Sequence, residues 1–410
     1  MNSGDTAWVL ISIGLVMLMT VGLAFFYGGM ARRKNVLSLL MQCLFILCLI
    51  SLQWVFYGYS LAFGPDTGYG LIGNLKWVGL IGLDGNPYTD YAATIPHLAF
   101  ILFQAMFAVI TPALIVGALA ERIKFSAFVL FVLLWATFVY DPLAHWIWGN
   151  GGWLKGLGAL DFAGGIVVHV SSGISALVMA LLLGKRIGFD KQTFRPHNLP
   201  WTVLGAGFLW FGWFGFNGGS ALAANAIAAN AIVTTNTAAA AAGLAWAFME
   251  WSKHASPTLL GTVSGMVSGL VAITPACGYV SPLSAIFIGI LAGIFCFLSV
   301  TELKSFFRYD DALDVFGIHG IGGIWGTVAT GLLAQKSVNL TGADGLIFGN
   351  WHQLLVQLIM VIAAVAFSAF MTFLLYKFVD EILGMRVSEK EELIGLDLTQ
   401  HNESAYTVLE

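Results

Sequence analysis

Apolar runs of about 20 residues, the length a helix needs to cross a hydrocarbon core, follow one another along nearly the whole chain. Eleven are expected, at about 7–29, 37–63, 98–119, 125–143, 162–183, 200–220, 225–250, 258–276, 283–301, 315–334 and 351–378. Short polar or charged connections separate them. Two interruptions stand out, His169 in GGIVVHVSSGISALVMALLLG and His319 in VFGIHGIGGIWGTVATGLLA, the titratable side chains near the middle of long apolar segments. A membrane interior tolerates such groups poorly, so they mark a pathway. The other histidines, His97, His145, His197, His254, His352 and His401, fall at segment ends, in connections or in the tail, where water is expected to reach them. An aspartate precedes each central histidine by eight positions, as Asp161 and Asp311, and this spacing hints at an internal duplication.

The pattern predicts an all-α polytopic membrane protein. Its transmembrane domain is expected over 1–380, with halves at about 1–190 and 200–340, and a polar tail over 381–410. If spans 1–5 and 6–10 are the two halves, each makes an odd number of crossings, so the repeat is inverted and span 11 is left unpaired. Eight residues at 1.5 Å rise carry each histidine roughly 12 Å inward from opposite faces. In a core about 30 Å thick the two imidazoles then meet near the midplane. Basic residues orient the bundle, because they translocate poorly. Alternate connections hold 15 and 3 of the 18 Lys and Arg, the minority being Lys76, Lys155 and Lys336. That places the N-terminus outside, the C-terminus in the cytoplasm and the protein in the cell membrane.

Composition sharpens this reading. The chain is 58% hydrophobic and 10% charged, against roughly a quarter charged in soluble domains. A formal net charge of -4, with the basic residues already assigned to topology, argues against a nucleic-acid partner. No signal peptide is evident, since Asp5 rather than a basic region precedes the first run. Cys43, Cys48, Cys277 and Cys296 lack metal-type spacing and read as small apolar fillers. The 48 glycines cluster inside spans, where they let helices approach closely.

A midplane histidine pair has few chemical uses. Metal binding needs further converging His, Cys or carboxylate ligands, and the spans offer none near their middles, so no metal or other cofactor is expected. Each histidine alone reads equally well as a core residue bonded to a helix carbonyl. Two at matching repeat positions favour a role in passing a proton or a small polar solute, because neutral imidazole has one donor and one acceptor. Phe103, Phe107, Trp148, Trp213 and Phe216 suit either packing and interfacial belts or an aromatic cup for a cation. Asp161 reads first as a helix cap. Asp310 reads as structural, and Asp311 and Asp314 stay open.

The strings FFYGGMARRKNVL, GALAERIKFSA, GALDFAGGIVVH, GKRIGFD, WFGFNGGSALAAN, ITPACGY, DVFGIHGIGGIWG and the tail GMRV…EE…GLDLTQHNESAY resemble the ammonium transporters of the Amt/MEP/Rh group, specifically the prokaryotic Amt branch. The likeness spans essentially the whole chain. It implies transport of ammonium, with methylammonium as analogue, and no enzymatic activity. It further implies a recruitment site at Phe107, Trp148 and Ser220, a gate of stacked Phe107 and Phe216, and a pore lined by His169 and His319. Asp161, Phe103 and Trp213 become supports of the entrance. A homotrimer with one path per subunit is implied, as is a cytoplasmic P-II signal protein docking near a tail that keeps Gly395, Leu396, Asp397, His401 and Tyr406. Two hydrogen-bonding rings in a greasy path lead us to expect separate proton transfer and net charge movement. An ammonium sensor with little flux and an electroneutral NH3 or CO2 channel are the alternatives. The acidic tail reads either as a solvated segment or as a partner surface.

Overall fold

In the computed structural model, which describes residues 1–406, the chain is all-helical, and among the described residues no strand forms. Eleven apolar helices run in order: α1 Ser3–Met30, α2 Arg33–Phe63, α3 His97–Leu119, α4 Phe125–Ile147, α5 Gly165–Leu183, α6 Leu199–Gly219, α7 Ala226–Lys253, α8 Leu259–Ile273, α9 Pro282–Phe307, α10 Phe316–Leu333 and α11 Trp351–Leu383. Short polar side chains start several of them. Asn2, Asn198, Asn225, Thr258 and Ser281 each accept a bond from a first-turn N–H, one of the donors a helix end leaves unsatisfied. Among the described residues ten of the expected spans are helices long and apolar enough to cross a membrane, with shifted limits, and the eighth is a shorter apolar helix. α11 reaches Leu383 rather than 378, α9 reaches Phe307, and α4 reaches Ile147. The largest departure is α8, only 15 residues long, because the chain breaks into turns after Ile273. The apolar stretch to 276 is buried in protein there, where a non-helical backbone is tolerated at depth.

The halves pack as an exchange. α1 lies along α6, its counterpart in the second half, and the C-terminal part of α5 packs on the first turn of α10 while α10 packs on the first turn of α5. That crossing requires missing side chains. A Cβ on Gly173 would come within 2.2 Å of the Gly320 nitrogen. α3 is central and almost wholly buried, whereas α11 is peripheral and mostly uncovered by the rest of the chain.

One expectation fails. His97 and His145 are buried, not water-exposed, because the 64–96 connection folds over them. The Tyr59 hydroxyl bonds His97 Nε2 at 2.5 Å, and His145 donates from Nδ1 to the Ala62 carbonyl while its Nε2 pairs with Asp66. Among its described residues the acidic tail is only partly solvated, with Glu389 and Glu403 exposed and Glu392 and Asp397 buried. Its short helices α12, Glu389–Ile394, and α13, Leu396–His401, clamp the ends of the spans. Buried Glu392 accepts from the Ile187 N–H and from Arg386, and buried Asp397 accepts from the Ser38 N–H. Beside the tail lies a buried ion network. Arg186 pairs with Asp310 at 2.8 Å and with Glu121 at 3.2 Å, and Arg32 pairs with Glu121 at 2.7 Å. Against burial, which works upward, Arg186 and Arg32 hold the Glu121 carboxyl below its ordinary value. Asp310 is thus structural, as expected.

Candidate conduction path

The connection after α4 and the start of α5 build one mouth. Asp161 precedes α5, and its carboxylate accepts four backbone N–H groups: Gly164 at 2.8 Å, Gly165 at 2.6 Å, Ile166 at 2.9 Å and Val167 at 3.2 Å. A single side chain thereby satisfies the donors of an entire first turn. Burial holds this carboxyl above its ordinary value, and the four N–H bonds oppose it. The Asp161 carbonyl also accepts from Trp148 Nε1 at 2.9 Å. Asp161 therefore ties the indole at the mouth to the turn that carries His169.

Trp148, Phe107, Ser220 and Asp161 line one vestibule of about 440 Å3. The Ser220 hydroxyl donates to the Phe216 carbonyl at 2.8 Å, so its lone pairs remain free to accept from a solute. Phe107 meets Trp148 edge-on at 5.9 Å and stacks on Phe216 at 4.2 Å and 23°. Phe103 braces Phe107 edge-on at 5.0 Å. Phe107 faces the vestibule and Phe216 faces a second, inner cavity, so the stacked rings are the wall between them.

Behind that wall stand the two histidines. The Nδ1 atoms of His169 and His319 lie 3.2 Å apart, with the rings roughly parallel at 24°. One Nδ1 donates and the other accepts, so with both rings neutral one Nε2 carries a proton and the other a lone pair. The pair thus presents a donor and an acceptor side by side. Trp213 lies deeper than the mouth: it stacks on His169 at 5.4 Å and anchors its indole N–H to Thr274 Oγ1 at 2.9 Å. Otherwise apolar side chains line the inner cavity, among them Met19, Leu23, Ile110, Leu114, Leu209 and Val267. It leaves about 10 Å3 to the centre of a water-sized solute, near the least that one such molecule occupies.

Both histidines sit on π-turns, Gly165–Val170 and Phe316–Gly320, a geometry frequent at functional sites. On the other face the repeat is imperfect. The Asp311 carboxylate accepts the Phe316 N–H at 2.7 Å on Oδ2 while its Oδ1 has no partner, and Lys304 bonds the Asp311 carbonyl and pairs with Asp314. Burial pushes the Asp311 carboxyl up to about 6, with Lys304 opposing.

Sequence reasoning missed three contributors: Thr274, which orients Trp213; Lys155, whose Nζ donates to the Trp148 carbonyl at 3.0 Å; and the Gly173–Gly320 contact. Glycine density signalled the last of these, but no local pattern marks the other two.

Residues 7–406 match the model of the Ammonium Transporter Family. The chain is 52% identical over 406 residues to an ammonium transporter of Bacillus subtilis, covering 99% of both chains. It is 51% identical to ammonium transporter Amt1 of Archaeoglobus fulgidus, covering 99% of this chain and 100% of the relative. Among solved structures, Mep2 of Saccharomyces cerevisiae superposes with a TM-score of 0.89 at 39% identity, over 95% of this chain and 88% of that one. A protein described as a sensor Amt protein has the same TM-score at 31% identity, over 97% and 98%.

Proposed function

The chain belongs to the ammonium transporter family, multi-pass membrane transporters rather than enzymes, and we propose that it recruits NH4+ at the aromatic vestibule, deprotonates it and conducts NH3 past His169 and His319. The observation that carries this reading is the closed inner cavity, apolar except for two facing imidazoles and sealed by stacked phenyl rings. An ion stripped of water in such a space meets a Born penalty idealised as tens of kcal/mol. Removing a proton from an amine with pKa of about 9 to 10 costs roughly 3–4 kcal/mol at neutral pH. Deprotonation wins by a wide margin. Potassium has no proton to shed and is rejected.

Phe107, Trp148 and Ser220 recruit the cation through ring faces and hydroxyl lone pairs. Phe107 and Phe216 gate it, and Phe103 and Asp161 hold the mouth in shape. Trp213 positions His169. The proton crosses separately along the histidine pair, so transport moves net charge. The vestibule faces outward, the N-terminus is outside and the tail is cytoplasmic, as the basic residues require. The protein sits in the cell membrane as a homotrimer, and the clamped tail receives a P-II signal protein.

Currents on solid-supported membranes, recorded with ammonium pulses on reconstituted protein, test the mechanism. We expect currents that vanish in His169→Ala and His319→Ala, and no response to potassium. Ammonium pulses without current at any pH, with uptake intact, leave electroneutral passage of neutral gas. The likeness to a sensor Amt protein favours a second reading, ligand binding with negligible flux. Radiolabelled methylammonium separates the two, because a pure sensor accumulates none.

A further inference from the structure

Apart from the path, α2 and α4 share a buried polar contact that conduction does not use. Each helix is interrupted by a π-turn, Trp54–Gly58 in α2 and Ala136–Tyr140 in α4. The residues flanking these turns meet: Gln53 Nε2 donates to Asp141 Oδ2 at 2.8 Å. Gln53 is 3% exposed and Asp141 0%. The Gln53 amide oxygen Oε1 and the second Asp141 oxygen Oδ1 have no hydrogen-bond donor. Among the described residues no Lys, Arg or His donates to Asp141. His145, one turn further on, is committed to Ala62 and Asp66, and the neighbouring Tyr140 hydroxyl is itself without a partner. The carboxamide is wedged in place, since a Cβ on Gly58 would come within 2.5 Å of Gln53 Oε1.

An ionised carboxylate taken from water without a cation is strongly disfavoured, and an unpaired amide oxygen adds its own penalty. Two acceptor oxygens on groups already joined by one N–H bond lack a single thing, a proton between them. We propose that Asp141 is a proton-binding site, held as a neutral carboxylic acid whose O–H donates to Gln53 Oε1 while Gln53 Nε2 donates back. The resulting closed pair of bonds ties α2 to α4. Its position matters, because Asp141 leads the last two turns of α4, which end at Trp148. The proton therefore fixes the helix that presents the mouth indole.

Infrared spectroscopy of the full chain in bilayers at about pH 8, where ordinary aspartates are ionised, tests this. Wild type labelled with carboxyl-13C aspartate is expected to show an isotope-shifted C=O band of a protonated acid. That band is lost in Asp141→Asn, and moves to the higher frequency of a free acid in Gln53→Leu. Absence of the band in labelled wild type overturns the proposal without any variant. So does a band that survives Asp141→Asn unchanged. Failure of Asp141→Asn to fold also counts against it, since Asn retains a donor and an acceptor and loses only the capacity for charge.

Discussion

Replacing Asp161 tests whether the mouth is held by one carboxylate. Asp161→Ala leaves four first-turn N–H groups without their acceptor. Bonds to a charged group are each worth roughly 1.5–3 kcal/mol, and water from the adjoining vestibule replaces some of them. The net loss is then about 3–5 kcal/mol, the range for breaking a buried charged contact. For a chain this long that corresponds to a fall of roughly 5 °C in Tm. Because the affected turn carries His169 and the Asp161 carbonyl holds Trp148, methylammonium uptake should fall at least about tenfold, since misplacement near 1 Å costs up to about 100-fold. Asp161→Asn keeps one accepting oxygen, so two of the four bonds survive and both readouts fall about half as far on the free-energy scale. Tm in detergent and initial uptake rates in vesicles are measured for both variants. If Asp161→Ala keeps its Tm within about 1 °C and its uptake within about twofold, the capping argument is wrong. If Asp161→Asn loses uptake with Tm intact, the carboxylate acts on the substrate rather than on the turn.

Arg186→Ala strands buried Asp310 while Glu121 keeps Arg32, and should cost about 3–5 kcal/mol, whereas Arg186→Met with Asp310→Leu costs much less; thermal unfolding of the three proteins checks the order. Asp311 stands near 6 against an ordinary 3.8, so its contribution to stability is complete below about pH 4 and is lost as pH rises through about 6, a span of about 3 kcal/mol. Asp311→Asn should therefore match or exceed wild-type Tm at pH 8 and lose that advantage near pH 4, and a pH-independent deficit contradicts the assignment. Trp148→Leu removes the ring that meets Phe107 at the mouth and should raise the KM for methylammonium several-fold with little change in maximal rate, because capture and not passage is weakened. Unchanged KM counts against the cup.

Hydropathy by itself determined the spans, since crossing a slab about 30 Å thick at 1.5 Å per residue is a property of local sequence alone. The eight-residue spacing from Asp161 to His169 and from Asp311 to His319 likewise pointed to two rings at matching depth before any fold was known. Depth, however, says nothing about facing. The 3.2 Å approach of the imidazoles depends on how α5 and α10 are rotated and how closely they cross, which the Gly173–Gly320 contact decides. The same limit explains Trp213, read from sequence as part of the mouth and found against His169, and α8, whose apolar run continues past the point where its helix stops. Burial of His97, His145, Glu392 and Asp397 depends on partners 38 or more residues away, Tyr59, Ala62, Arg386 with Ile187, and Ser38, except for the nearby Arg386. Hydropathy is read along the chain, whereas these contacts form between segments whose pairing only the folded bundle specifies.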